Sequence, residues 1–387
     1  MVITVKNYDV SIVPCADYGQ AEAALARVLE PVGGLDWVQP GMKVAIKVNL
    51  VTAMKPDSAG TTHPALVRAL SKMLTERGAQ VIVGDSPGGI FSSVYLNRVY
   101  SVTGMREAET VGARLNENFG QSEVSFPEAR VLKHFTCTSW LLEADAIIDL
   151  CKLKSHGMMG MSGAVKNMFG AIPGTMKPEY HYKFPNYPDF ADMLIDLNEY
   201  FKPRLAIADA VVGMEGNGPT AGKPRQIGAL LASASTYKLD TVCAALIGLS
   251  KEDVPTLEAA VRRGLAPAEH RELSIHGPLE QLMLRDFEHV AVHNSLLFAG
   301  NGKNPLLRTF SSVAGKLLVS RPKLKESECV GCGVCAEICP AKAIAIENKK
   351  ARIDTVKCIR CFCCQEFCPK GAMKVKRPLA ARVAGKL

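Results

Sequence analysis

The apolar positions of the chain fall into runs whose period alternates. Lys43–Val51 (KVAIKVNLV) is rich in β-branched residues. His63–Gly78 (HPALVRALSKMLTERG) spaces its apolar residues three and four apart and ends on glycine, and Gln80–Gly84 (QVIVG) is again a short apolar run. Strand, amphipathic helix and strand in that order predict a βαβ unit with a right-handed crossover. The alternation recurs, with Ala144–Leu153, Arg204–Val212 and Gln226–Ala232 reading as strands and Phe190–Phe201 and Thr236–Leu249 as helices. The expectation is an α/β domain over residues 1–315, a mostly parallel sheet with helices on both faces. The pattern leaves strand order open, and residues 250–320 are less regular and more helical. A linker is expected at 316–325, a small α+β module at 326–376 and a short basic tail at 377–387, read as a solvated terminus.

Composition narrows the class. A chain of 387 residues suggests two or three domains at about 150 residues each. Apolar residues make up 48% and charged residues 22%, a globular balance that excludes disorder and coiled coil. The N-terminal MVITVKNYDVSIVP lacks the apolar stretch of a secretory leader, and no window reaches the length of a spanning helix. A cytoplasmic protein is expected, without a membrane span. Thiols stay reduced there, so clustered cysteines point to metal ligands or redox groups in preference to disulfides.

Charge and cysteine are concentrated together. The formal net charge is +8, yet residues 321–387 alone hold 15 Lys/Arg against 6 Asp/Glu. Nine of the 13 cysteines lie between Cys329 and Cys368. They form two runs, Cys329-V-G-Cys332-G-V-Cys335-A-E-I-Cys339-Pro340 and Cys358-I-R-Cys361-F-C-Cys364-Q-E-F-Cys368-Pro369, offset by 29 residues. This repeated C-x-x-C-x-x-C-x-x-x-C-P resembles the bacterial-type ferredoxin with two 4Fe–4S clusters, over about Lys325–Lys376. The resemblance implies a crossed ligand set. One cluster takes Cys329, Cys332, Cys335 and Cys368, the other Cys358, Cys361, Cys364 and Cys339. Cys363 breaks the two-residue gaps and reads as a non-ligand. Zinc fits the template poorly, because a zinc site wants four ligands around one ion. Each oxidised cluster with four thiolates carries about −2, which accounts for part of the local basic excess. With aromatics at 6% and no RNA-binding signature, no nucleic-acid partner is expected. A redox partner protein is.

Polar groups gather where strands of an α/β sheet end, the place such sheets put ligands. They are Lys47 and Asn49, then Thr62-His63-Pro64, then Gly84-Asp85-Ser86-Pro87-Gly88-Gly89, and Asp209 with Gly213-M-Glu215-Gly216-Asn217-Gly218-Pro219. His63 reads equally as a helix N-terminal residue. The densest stretch runs from Lys152 through Lys154, His156, Lys166 and Asn167 to Gly174, with His181 beyond. A desolvated lysine or histidine there titrates near neutrality and suits acid–base work. Lys154, His156, Lys166 and Asn167 are therefore the candidate catalytic residues, and His63, Asp85, His181 and Glu215 the candidate cofactor-binding ones. Neither dinucleotide nor P-loop fingerprints are present. Cys15, Cys137, Cys151 and Cys243 stand in apolar surroundings and read as buried structural cysteines.

The stretches IKVNL, THP, VIVGDSPGG, KLKSH, SGAVKNMFGAIPG and ADAVVGMEGNGP together resemble the domain of unknown function 362 family, whose members often carry a C-terminal two-cluster ferredoxin module. The resemblance covers nearly the whole chain. A narrower one concerns His156, Lys166 in an S-G-x-x-K setting, a following Pro-Gly and His181, which is similar to lactate racemase. That family tethers a nickel-pincer nucleotide to its motif lysine, but Ser162-Gly163-Ala164-Val165-Lys166 lacks the usual second glycine. Two readings of function follow. In the first, the protein is an iron–sulfur oxidoreductase or redox partner passing electrons through two 4Fe–4S clusters to a small-molecule substrate in the α/β domain. In the second, it is a non-redox isomerase or racemase with a cofactor on Lys166 and structural or regulatory clusters.

Overall fold

The structure, a computed structural model, describes residues 7–289 and 321–376. The tail expected at 377–387 and residues 316–320 of the expected linker lie outside the described residues. In chain order the strands of the larger unit are β1 (Val10–Pro14), β2 (Lys43–Val48), β3 (Gln80–Gly84), β4 (Arg114–Leu115), β5 (Gln121–Ser125), β6 (His134–Thr138), β7 (Ala146–His156), β8 (Gly160–Ser162), β9 (Leu205–Glu215), β10 (Lys223–Ser233) and β11 (Ile275–His276). The helices are α1 (Ala21–Leu29), α2 (Pro64–Thr75), α3 (Ser93–Thr103), α4 (Ser139–Leu142), α5 (Ala164–Asn167), α6 (Lys177–Lys183), α7 (Tyr187–Phe201), α8 (Thr236–Leu246) and α9 (Pro255–Arg262).

One sheet runs β11-β1-β10-β9-β7-β2-β3-β4, with β8 added to β7. From β9 to β4 the neighbours are parallel, whereas β1, β10 and β9 pair antiparallel. The expected mostly parallel sheet is present, with an antiparallel flank the apolar pattern did not disclose. Strand alternation sorts side chains to two faces. Along β7 and β9, Ile148, Leu150, Leu205 and Ile207 join the cluster containing α1, α2 and α3, while Cys151, Leu153, Ala206 and Ala208 join the one containing α8. Helices α7 and α9 build a third cluster with Val165 and Phe169. Cys15, Cys137, Cys151 and Cys243 are fully buried.

Strand β7 extends past the expected end at Leu153 to His156 and is buried along its whole length. Apolar content alone stops it early, because Lys154, Ser155 and His156 are polar. The backbone continues because β8 folds back on it, pairing Lys154 with Ser162 and His156 with Gly160.

Arg321–Leu324, expected as linker, is instead a strand of the C-terminal module, pairing with Met373–Lys376. The cause is the repeat itself. Shifted by 29 residues, Arg321–Leu324 becomes the strand Lys350–Ile353, the helix Val334–Glu337 becomes Cys363–Glu366, and Ile344–Glu347 becomes Met373–Lys376. Ile344–Glu347 pairs with Lys350–Ile353, so each ladder joins one half to the other.

The module is latched to the larger unit. Phe362 is buried within the α7–α9 core cluster. Gln365, fully buried, donates from Nε2 to the carbonyls of Asn217 (2.9 Å) and Gly218 (3.1 Å), and the Val375 N–H donates to Asn217 Oδ1. Gly88 lies against the Phe367 ring so closely that a Cβ there would stand 2.5 Å from it.

Candidate functional site: a lysine-lined cleft beside a cysteine cavity

In the first cysteine run the chain turns through two left-handed glycines, Gly331 (φ 68°) and Gly333 (φ 84°). The second run places Arg360 (φ 61°) and Phe362 (φ 60°) at the equivalent points, where a side chain costs roughly 1–2 kcal/mol. These turns bring Cys329, Cys332, Cys335 and Cys368 around one small cavity, closed by Leu324, Ala372 and Met373. Burial, then the neighbouring charges of Cys368, Cys332 and Cys329, push the Cys335 thiol up. For Cys364, burial leads and Cys361, Cys358, Cys335 and Cys339 follow. Each half also aims an N–H at its last cysteine, Ala343 at Cys339 Sγ and Ala372 at Cys368 Sγ, both 3.2 Å. Thiol-lined, largely apolar walls, with Lys370 the one charged residue among them, and N–H···S bonds are the surroundings a thiolate-held iron–sulfur centre needs. Cys363 is buried on the side of Lys166 and Glu366 and does not line the cavity.

Adjoining this cavity is a cleft of about 540 Å³. One wall comes from the strand ends of the larger unit, with Asn49, Asp85, Lys166, Asn167, Phe169 and Lys177. The other comes from the module, with Glu366, Phe367, Cys368 and Pro369. Cys368 and Pro369 line both spaces.

The floor is a buried polar network. Lys47 Nζ sits 2.8 Å from Asp85 Oδ1 and donates to the Val48 carbonyl and to Asn167 Oδ1. Asn167 donates to the Lys47 carbonyl and, at 2.7 Å, to Asp149, and accepts from Asn49, whose Oδ1 accepts from Lys154 (2.9 Å). Lys154 also donates to the Gly60 carbonyl. Burial, then Lys166, pull Lys154 down to about 7. Lys177 donates to the Ser86 and Ile172 carbonyls. It is brought down to about 7 by burial, with Asp85 opposing and Lys47 and Lys166 adding. Lys166 is lowered by burial, and Glu366 opposes. Its amine has no hydrogen-bond partner among the described residues. Gly170 is required by closeness, since a Cβ would stand 2.1 Å from Asp85 Oδ1 and 2.4 Å from Lys47 Cε.

The module reaches into this network through Glu366, whose Oε1 lies 2.9 Å from His156 Nε2. His156 Nδ1 accepts from the Met158 and Met159 N–H groups, which places the ring proton on Nε2, facing the carboxylate. Burial, then Lys166, lower His156 to about 4. Burial raises Glu366, but Lys166 and His156 outweigh it and hold the carboxyl well below its usual range.

Six of the expected residues thus converge. Asp85, Lys166 and Asn167 line the cleft, Lys154 and His156 back it, and His181 stands beside them, stacked on Phe190 at 4.4 Å and edge-on to Phe169. Burial depresses His181 to about 3, and Glu366 opposes. His63 and Glu215 are not brought to the cleft. His63 caps α2, its Nδ1 accepting from the Ala65 N–H, and stacks on Tyr18 at 3.5 Å. Its neighbours form a separate group in which Asp209 holds Lys152, the Tyr18 hydroxyl and the His63 N–H. Glu215 accepts from the Glu288 N–H and lies 4.0 Å from Arg225. Lys177 and Glu366 were missed. Glu366 has a repeat mate in Glu337 with no comparable role, so the motif gave no hint, and Lys177 follows a turn without any motif.

Comparison with known proteins agrees with this division. The profile described as Domain of unknown function (DUF362) matches residues 44–245, and that described as 4Fe-4S dicluster domain matches residues 321–369. The module is accordingly an iron–sulfur domain. A thylakoid-associated protein of Synechocystis is 34% identical over 256 residues, 64% of this chain and 77% of that protein. Two solved structures overlap in part, each at 14% identity. The lactate racemase apoprotein from Thermoanaerobacterium thermosaccharolyticum has a TM-score of 0.40 over 65% of this chain and 60% of that one. A Thermotoga maritima protein has a TM-score of 0.35 over 56% of each. The chain thus spans less than two thirds of either structure. Among the described residues no helix is long and apolar enough to cross a membrane.

Proposed function

The chain belongs to the domain of unknown function 362 family, and from that premise we propose that it is an iron–sulfur oxidoreductase acting on a small molecule held in the cleft. In this reading Cys329, Cys332, Cys335 and Cys368 hold one 4Fe–4S cluster, and Cys358, Cys361, Cys364 and Cys339 hold a second. The clusters supply one-electron transfer. The observation that carries the reading is the shared wall, since Cys368 and Pro369 face both the cysteine cavity and the cleft. The substrate takes up two electrons and two protons, the electrons originating from a reduced partner protein, one proton from Lys177 and the other from solvent, which also reprotonates that lysine. Lys177, titrating at about 7 at the cleft wall, holds a proton at its Nζ for delivery. Asn167 and Asn49 fix the floor, and Phe169 and Phe367 keep water from it. The partner docks at the exposed Cys332, where Val330 is 58% exposed. The basic balance of the module suits an acidic redox protein. A reducing compartment such as the cytoplasm keeps the thiols available for iron.

Anaerobic purification tests the reading. About eight irons per chain and broad brown absorbance are expected, with Cys368→Ser losing about half the iron. A colourless, iron-free protein overturns it. The amine of Lys166, without a hydrogen-bond partner among the described residues, favours a second reading, a racemase-like enzyme with a cofactor on that residue. Intact mass of natively purified protein decides it: an adduct on Lys166 with bound nickel supports it, and an unmodified, nickel-free chain removes it.

A further inference from the structure

We propose that the cleft recognises a small organic oxoanion, a carboxylate or phosphate on an apolar body, its head between Lys166 and Lys177 and its body against Phe169 and Phe367. The proposal rests on the reading of the cleft as the reaction site and adds the substrate class.

The argument is a charge inventory. Lys166 and Lys177 both line the cleft, and their amines lie 5.8 and 5.7 Å from the centre of the same Phe169 ring. Two cations therefore converge on one aromatic side chain. Arg98 adds a third at the cleft wall. The two carboxylates there touch other groups. Asp85 pairs with Lys47 and accepts from the Leu50 N–H, each at 2.8 Å, and Glu366 lies 2.9 Å from His156. Glu366 opposes the lowering of Lys166 and Asp85 that of Lys177, but among the described residues neither carboxylate comes within ion-pair distance of those amines. Desolvated ammonium groups without a contacting counter-charge are costly, and an incoming oxoanion accepting from both offsets that cost. Around them the mixed wall includes an apolar set, Val51, Met54, Phe169, Val334 and Phe367. The head alone does not fill this space, and a neutral body alone leaves the cations unpaired. Free carboxylates and phosphate monoesters share the required chemistry.

Calorimetric titration of the anaerobically purified, iron-loaded protein with benzoate, phenyl phosphate, benzamide and inorganic phosphate tests this without an electron donor. At least one of benzoate and phenyl phosphate binds, and benzamide and inorganic phosphate bind about tenfold or more weakly. Lys166→Met and Lys177→Met each weaken the anion about tenfold, while Lys183→Met, outside the cleft, does not. Benzamide binding as tightly as benzoate, or anion binding unchanged in both cleft variants, overturns the proposal. The wild-type probe comparison stands even where a variant fails to fold. Absence of binding at full iron content rejects the substrate class alone, whereas anion binding by iron-free protein rejects the redox reading alone.

Discussion

At the scale of single residues, the cleft is governed by lysines held away from their ordinary protonation. Lys154 and Lys177 sit at about 7 against an ordinary 10.5. The groups facing Lys177 are Asp85, Lys47, Lys166 and Glu366, and those facing Lys154 are Lys166, Glu366, Lys152 and Asp85. Both values are depressed, so the unfolded chain binds more protons between about 7 and 10.5. The contribution of these lysines to stability therefore rises with pH across that window. Oxoanion affinity runs the other way. It is full below about 7 and falls as pH rises through that value, with proton uptake on binding, which titrations in buffers of different ionisation enthalpy detect. Gly170→Ala should expel the Lys47–Asp85 pair from its place. Expected is a loss of about 2 kcal/mol or more, as for other overpacked or broken buried polar contacts, read by chemical denaturation. His63 shows why residue type alone misleads: the same imidazole that suits a site also caps a helix, and here it caps.

The element that joins the two halves is the turn from Phe362 into the helix Cys363–Glu366. Phe362 holds a left-handed backbone because its ring is buried in the neighbouring core. Phe362→Ala should cost about 3–5 kcal/mol, measured by denaturation of the iron-loaded protein. Phe362→Gly should be the milder change by about 1 kcal/mol, a reversal of the usual alanine-over-glycine order, because it relieves the positive φ. Elements with periodic apolar content were legible: α2, β2 and β3 lie where the sequence places them, within a few residues. The far end of β7 was not, since polar residues buried by pairing look like loop in a hydropathy reading. Nor was the strand at Arg321–Leu324, whose signal is similarity to Lys350–Ile353 across the repeat and not its own composition.

For the molecule as a whole, the division into an α/β unit and a cysteine module could be read from composition alone. The cleft between them could not, because its walls join residues such as His156 and Glu366, far apart in sequence with no local pattern to link them. The basic module also sets a kinetic expectation: reduction by an acidic donor protein should slow steeply as ionic strength rises past about 0.1 M, followed by stopped-flow absorbance. Insertion of Phe362 and Glu366 into the larger unit has one more consequence, and it concerns timing during synthesis. Ribosomes deliver the lysine floor first and the wall last, and that last wall is threaded between cysteines that take shape around iron. A cell short of iron would accumulate chains whose sheet is complete but whose cleft gapes on one side, so metal supply itself would license the finished pocket.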